Sequence, residues 1–168
     1  MNLVFREATQ PDLPAIVRLL ADDEIGCRRE AYADPLPECY RAAFERIQAD
    51  ANSRLILACM GEEIVGFFQI TFTQCLSHRG AMRATMENVR VAGDKRNQGI
   101  GTQLIRHAVS LARKEEAVLL QLMTDKRRPD ARRFYEKNGF TATRGDETGA
   151  VEYPLTFGGK SRVPAVFC

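Results

Sequence analysis

The chain has 168 residues, 45% of them hydrophobic and 27% charged, and 24 basic side chains nearly balance 22 acidic ones. This length fits one domain with a full core. A net charge of +2 gives no support to a nucleic-acid-binding role, and no stretch approaches the roughly 20 apolar residues of a membrane helix.

The five cysteines (Cys27, Cys39, Cys59, Cys75 and Cys168) include no Cys-x-x-Cys, and only His78 and His107 could join them, which argues against a metal site. Their odd number and irregular spacing point to reduced thiols in the cytoplasm. So does a start, Met1-Asn2-Leu3, that enters a strand with no basic and apolar leader.

Leu3 to Ala8 reads as a strand. Thr9-x-x-Asp12 approximates a capping box, and Pro11 suits the first turn of the helix that follows. Leu13, Ile16, Val17 and Leu20 would form its buried face, and Asp22-Asp23-Glu24 its end. Ile25 to Pro37 is irregular. A second amphipathic helix spans Glu38 to Ala49, with Tyr40, Phe44 and Ile47 on one face. Arg54 to Met60 and Glu63 to Phe72 form a hairpin about Gly61-Glu62, with Cys59 in the core. Thr73 to Arg83 is a loop carrying His78, Arg79, Gly80 and Arg83.

Glu87 to Leu104 changes period partway. Val89 and Val91 alternate as a strand from Thr85 to Ala92 requires, whereas Ile100, Leu104, Ala108, Leu111 and Ala112 follow helical spacing in Gly99 to Glu116. Between them lie Lys95, Arg96 and the pair Gly99 and Gly101. A glycine-rich helix start exposes unpaired N–H groups at the positive end of the macrodipole, which is an anion site. Walker A and the dinucleotide Gly-x-Gly-x-x-Gly are both absent. Ala117 to Met123 is a nearly continuous apolar strand, expected mid-sheet. Pro129 starts a helix with Ala131, Phe134 and Tyr135 as its buried positions, ended by a left-handed Gly139. Phe140 to Thr143 and Ala150 to Phe157 close the order.

Arg96-Asn97-Gln98-Gly99-Ile100-Gly101, placed after Val89-Arg90-Val91, resembles the Arg/Gln-x-x-Gly-x-Gly/Ala acyl-CoA motif of the GCN5-related N-acetyltransferase (GNAT) superfamily. Ala131-Arg132-Arg133-Phe134-Tyr135-Glu136-Lys137-Asn138-Gly139-Phe140 is similar to its second signature, Ala-x-x-Phe-Tyr-Glu-Lys-x-Gly-Phe. One departure is Arg128, which stands where the family often has an Asn against the pantetheine arm. The order of elements suits an α/β fold with a mixed, mostly antiparallel central sheet of about seven strands and helices on both faces, the acyl-CoA N-acyltransferase fold. Residues 1–157 would be the domain and 158–168 an extension after Gly158-Gly159, flexible or docked separately.

The resemblance implies acetyl-CoA as co-substrate, an amine acceptor and no metal. It places the cofactor against Val89, Arg90, Val91, Arg96, Asn97, Gln98, Gly99, Ile100, Gly101, Thr102, Phe134 and Tyr135. An amine with a pKa of about 10.4 must lose a proton before attack. Glu87 is the candidate base; the alternative is a plain surface strand residue, and Glu62 and Glu63 are weaker rivals because a hairpin turn accounts for them. Tyr135 is the candidate acid for the departing thiolate; the alternative is a phenol packed in the core. Cys75 lacks the His–Asp pattern of a nucleophile. The acceptor would meet Ile25 to Tyr40 and Thr73 to Met86, where acidic residues favour a cation and His78, Arg79 and Arg83 an anionic group. Dimers are common among such proteins, so a homodimer is expected. Two functions fit the residues: an N-acetyltransferase, and a non-catalytic acetyl-CoA-binding regulatory module.

Overall fold

The computed structural model describes residues 2–22, 26–125, 128–143 and 150–157. Its elements are β1 (Val4–Glu7), α1 (Leu13–Ala21), α2 (Gly26–Arg29), α3 (Glu38–Ala49), β2 (Ser53–Met60), β3 (Glu63–Gln74), α4 (Ser77–Gly80), β4 (Met82–Val91), α5 (Ile100–Lys114), β5 (Leu119–Asp125), α6 (Pro129–Lys137) and β6 (Ala150–Thr156). Single 3-10 turns precede α1 and α5, at Gln10–Asp12 and Gly93–Lys95. The strands form one sheet in the order β1-β2-β3-β4-β5-β6. The chain divides into two compact units, Met1–Thr71 with Met86–Ala108 and Phe72–Thr85 with Val109–Cys168.

In the first unit β1, β2 and β3 pair antiparallel, with Phe5 opposite Ala58 and Leu57 opposite Phe67. Leu55 to Cys59 are all buried, because this middle strand is covered on both faces. Leu13, Ile16, Val17 and Leu19 of α1 and Phe44 of α3 pack against Leu55, Leu57, Cys59 and Phe67. Leu20, expected on the buried face, is only partly covered, while Leu19 is buried. Each large apolar side chain buried here contributes about 1.5–3 kcal/mol. The α1 start is fixed by Asp12: its Oδ2 accepts from Thr9 N–H and Thr9 Oγ1, both at 2.8 Å. Arg6 donates to both carboxylate oxygens at 2.7 Å.

In the second unit β5 and β6 are antiparallel, Leu120 opposite Leu155. Leu120 and Leu122 are buried, but Met123 is 60% exposed, so one face of this strand is open despite its continuous apolar run. Residues 140–143, expected as a seventh strand, form none. The Phe140 N–H closes the α6 cap on Tyr135 O at 3.2 Å. Thr141 N–H reaches Pro154 O at 3.2 Å, but Pro154 has no N–H to return. Gly139 has φ +91, the left-handed cap expected of it. Residues 144–149 between the last two expected strands, residues 126–127, Asp23 and Glu24 at the expected end of the first helix, and the extension 158–168 lie outside the described residues.

Candidate active site

The turn from Gly93 to Gly99 joins β4 to α5 within the first unit. Asn97 has φ +61 and Gly99 φ +80, so two left-handed residues flank Gln98, and left-handed residues alternating with right-handed ones are the kind of backbone from which anion nests are made. A Cβ at Gly99 would meet nothing within 4 Å; the dihedral, not space, calls for glycine there. Gln103 N–H bonds Gly99 O at 3.2 Å. By helix geometry the N–H groups of Ile100, Gly101 and Thr102 lie ahead of the first intrahelical bond and carry the positive end of the 15-residue α5 dipole. The helix is anchored by Ile100, Leu104, Ile105 and Ala108, all buried.

The charged side chains of the turn are engaged by the protein. Lys95 Nζ lies 3.3 Å from Glu63 Oε2 and 3.4 Å from Asp94 Oδ2, and those carboxylates hold its pKa above the ordinary value. Arg96 Nη2 donates to Asp22 O at 2.6 Å and to Asp22 Oδ2 at 3.0 Å, and its Nε to Val91 O at 3.2 Å. Gln98 Nε2 turns back onto Asp94 O at 3.0 Å. The donors left for an anion are therefore mainly backbone.

Just upstream, Asn88 has φ +53 inside β4. This left-handed residue breaks the strand's alternation, so Glu87 and Asn88 are both exposed after buried Met86, with Val89, Arg90 and Val91 half-buried. Asn88 Nδ2 lies 3.4 Å from Gln69 Oε1. Gly66 of β3 lets this part of β4 approach: a Cβ on it would stand 2.7 Å from Arg90 O and 3.2 Å from Leu104 Cδ1. Asn88 and Gly66 were not anticipated as site residues, and Asp22 was expected only among the acidic residues that could attract a cationic acceptor, not at the turn before α5. Asn88 carried one signal, a residue that tolerates φ > 0 placed mid-strand, and Gly66 another, a glycine inside an apolar run. Asp22 carried none, because its bond to Gly93 spans 71 residues.

The second unit holds the other expected residues. Tyr135 is buried, its ring edge-on to Phe134 at 5.3 Å and to Phe140 at 6.0 Å. Phe134 is half-buried. The β3–β4 connection makes one left-handed helical turn: His78, Arg79 and Gly80 have φ +50, +62 and +74. Gly80 N–H bonds Leu76 O at 3.2 Å, Ala81 N–H bonds Ser77 O at 3.3 Å, and Gln74 Nε2 holds Gly80 O at 2.6 Å. Among the described residues no cluster of His, Cys, Asp and Glu could hold a metal, and no helix is long and apolar enough to cross a membrane.

Residues 14–140 match the acetyltransferase (GNAT) family. An aminoalkylphosphonate N-acetyltransferase of Salmonella typhimurium is 33% identical over 103 residues, which are 61% of this chain and 66% of that protein. The chain thus spans just under two thirds of that relative's length. A transcriptional regulator from Bacillus halodurans C-125, of known structure, is 50% identical, with a TM-score of 0.84 over 86% of this chain and 97% of that one. An acetyltransferase from Thermus thermophilus shares the fold at 18% identity, with a TM-score of 0.74 over 94% of this chain and 98% of that one.

Proposed function

Because the chain belongs to the acetyltransferase (GNAT) family, we propose that it transfers an acetyl group from acetyl-CoA to a primary amine by direct attack in a ternary complex. The observation that carries this reading is the pair of left-handed residues Asn97 and Gly99 leading into the start of α5, a short turn after β4 with its left-handed Asn88. Phosphate oxygens suit the N–H groups of Gln98 to Thr102. The amide arm suits the strand backbone at Val89 to Val91. Exposed Glu87 takes the proton from the attacking amine, and a backbone N–H near Val89 faces the oxygen on which charge develops. The amine nitrogen bonds to the acyl carbon as the carbon–sulfur bond breaks. Tyr135 gives its phenolic proton to the departing thiolate.

The acceptor class is a small amine bearing an anionic group. Two features support it: the relative named for an aminoalkylphosphonate, and the basic residues His78 and Arg79 of the β3–β4 turn with Arg83 at the start of β4. The working form we propose is a cytoplasmic homodimer, checked by light scattering. The test of function is free CoA release across a panel of aminoalkylphosphonates, polyamines, aminoglycosides, amino acids and Lys peptides. Glu87→Gln should lower kcat about 100-fold and Tyr135→Phe about 10-fold, with CoA affinity within twofold of the parent. A second reading, a non-catalytic CoA-responsive regulator, draws on the 50% identical transcriptional regulator. Tight CoA binding with no release over the whole panel would select it.

A further inference from the structure

The C-terminal end of α1 grips the phosphate turn. Asp22 Oδ2 accepts the Gly93 N–H at 2.7 Å and Arg96 Nη2 at 3.0 Å, while Asp22 O accepts the same Nη2 at 2.6 Å. Arg96 Nε completes the arrangement on Val91 O at 3.2 Å. One guanidinium thereby ties three backbone segments: the end of α1, the end of β4 and the turn itself. Gly93 admits the carboxylate, since a Cβ there would stand 3.1 Å from Asp22 Oδ2.

Electrostatics alone would not put a carboxylate here. Beside a cradle for phosphates, a negative charge opposes the ligand, and pairing with it removes the Arg96 cation from use as a phosphate donor. Asp22 and Arg96 are 42% and 46% exposed, so the ion pair is screened and adds little to global stability. What the contact offers is mechanical: it ties Gly93 and Arg96, the residues that lead into Asn97, Gly99 and the start of α5, to the end of α1. Preorganised donors bind because the cost of ordering them has already been met in the fold.

We propose that Asp22 is a positioning residue for the acyl-CoA phosphates, and that Arg96 acts as its partner in bracing the turn instead of contacting the phosphates. The proposal rests on the CoA-binding reading of the turn. It also inverts the sign of one measurement. If Arg96 is a phosphate ligand that Asp22 merely holds in reserve, removing Asp22 frees the cation and tightens CoA binding. If the pair is a brace, removing either partner loosens it.

The experiment is calorimetric titration of the full chain with CoA, for the parent, Asp22→Ala, Asp22→Asn, Arg96→Ala and the Asp22→Ala/Arg96→Ala double variant, with melting temperatures recorded alongside. The brace predicts Kd raised about tenfold in Asp22→Ala and in Arg96→Ala, and no further loss in the double variant. Asp22→Asn, which keeps an acceptor for Gly93, should recover part of the affinity. Melting temperatures should stay within about 3 °C of the parent, which separates positioning from loss of fold. Asp22→Ala binding CoA as tightly as the parent or more tightly overturns the brace alone, as do losses that simply add in the double variant. A parent chain that fails to bind CoA overturns the underlying reading, and that failure shows before any variant is made.

Discussion

At Gly99 and Gly66 the chain needs glycine for two different reasons, and the two substitutions should part company. Gly99 sits at φ +80 in open space. Alanine there forces a left-handed backbone at about 1–2 kcal/mol, or else relaxes the turn and misaims its N–H groups. Gly99→Ala should therefore weaken CoA binding severalfold while shifting the melting temperature by only a few degrees. Gly66 has no unusual dihedral, but its Cβ would lie 2.7 Å from Arg90 O, a backbone atom that cannot swing aside. Gly66→Ala should displace β4 at Arg90, cost about 1–3 kcal/mol in urea unfolding and also weaken CoA binding. If Gly66→Ala left both quantities unchanged, β3 would not be what sets the position of this strand. The sequence motif drew the eye to Gly99 because helix-start glycines have a local signature. Gly66 acts through contacts with β4 and α5, whose closeness no spacing in the chain announces.

Among the elements, α3 was legible to the residue, at Glu38–Ala49, and α5 and α6 to within two residues. The periodicity of all three, the glycine-rich start of α5 and the Gly139 stop of α6 are local chemistry. The strand expected at 140–143 failed for a reason equally physical: the Phe140 N–H belongs to the cap of α6, and its neighbour strand presents Pro154. Pairing depends on the partner as much as on the segment. The start of α1 was anticipated as Thr9 with Asp12, but not the third member, Arg6 on β1, which turns a helix cap into a clamp between strand and helix. Asp12 is buried and its carboxylate bonds Arg6 on both oxygens. Asp12→Asn keeps the shape but loses the charge-assisted pair, and should lower stability by about 2 kcal/mol, measured by urea unfolding at pH 7. Arg6→Lys should lose part of the same energy, since an ammonium cannot reproduce the two-pronged geometry.

For the whole molecule, resistance to acid should fall in two stages, the upper set by His107 and the lower by Asp12 together with Asp50. His107 on α5 lies flat on Phe5, ring centroids 4.3 Å apart, with Phe68 edge-on at 6.4 Å, and burial pushes its pKa below the ordinary 6.5. Above pH 6.5 the imidazole is neutral both folded and unfolded, so it makes no pH-dependent contribution there. As pH falls below that value the unfolded chain takes up a proton that the folded chain resists, and unfolding becomes easier. The slope ends once pH drops beneath the folded pKa. Asp12 acts lower down. The Arg6 guanidinium, then the Thr9 N–H and hydroxyl, hold its carboxyl well below the ordinary 3.8. Its stabilisation is complete above pH 3.8 and is lost as pH falls from there, because the unfolded carboxylate protonates first. Urea unfolding at closely spaced pH values from about 7 to about 3 should show a shallow decline beginning near pH 6.5 and a second beginning near 3.8. His107→Gln should remove the first decline and Asp12→Asn should make the second shallower without removing it, because Asp50, held low by the Asn52 N–H and the Ser53 hydroxyl, loses stabilisation in the same window. A first decline that survives His107→Gln would mean that the stacked imidazole is not the group protonated on unfolding. The pairing of Phe5 and His107 that sets this behaviour joins β1 to α5 across most of the first unit's chain, which is why periodicity could put His107 on a helix but could not say what the ring would lie against.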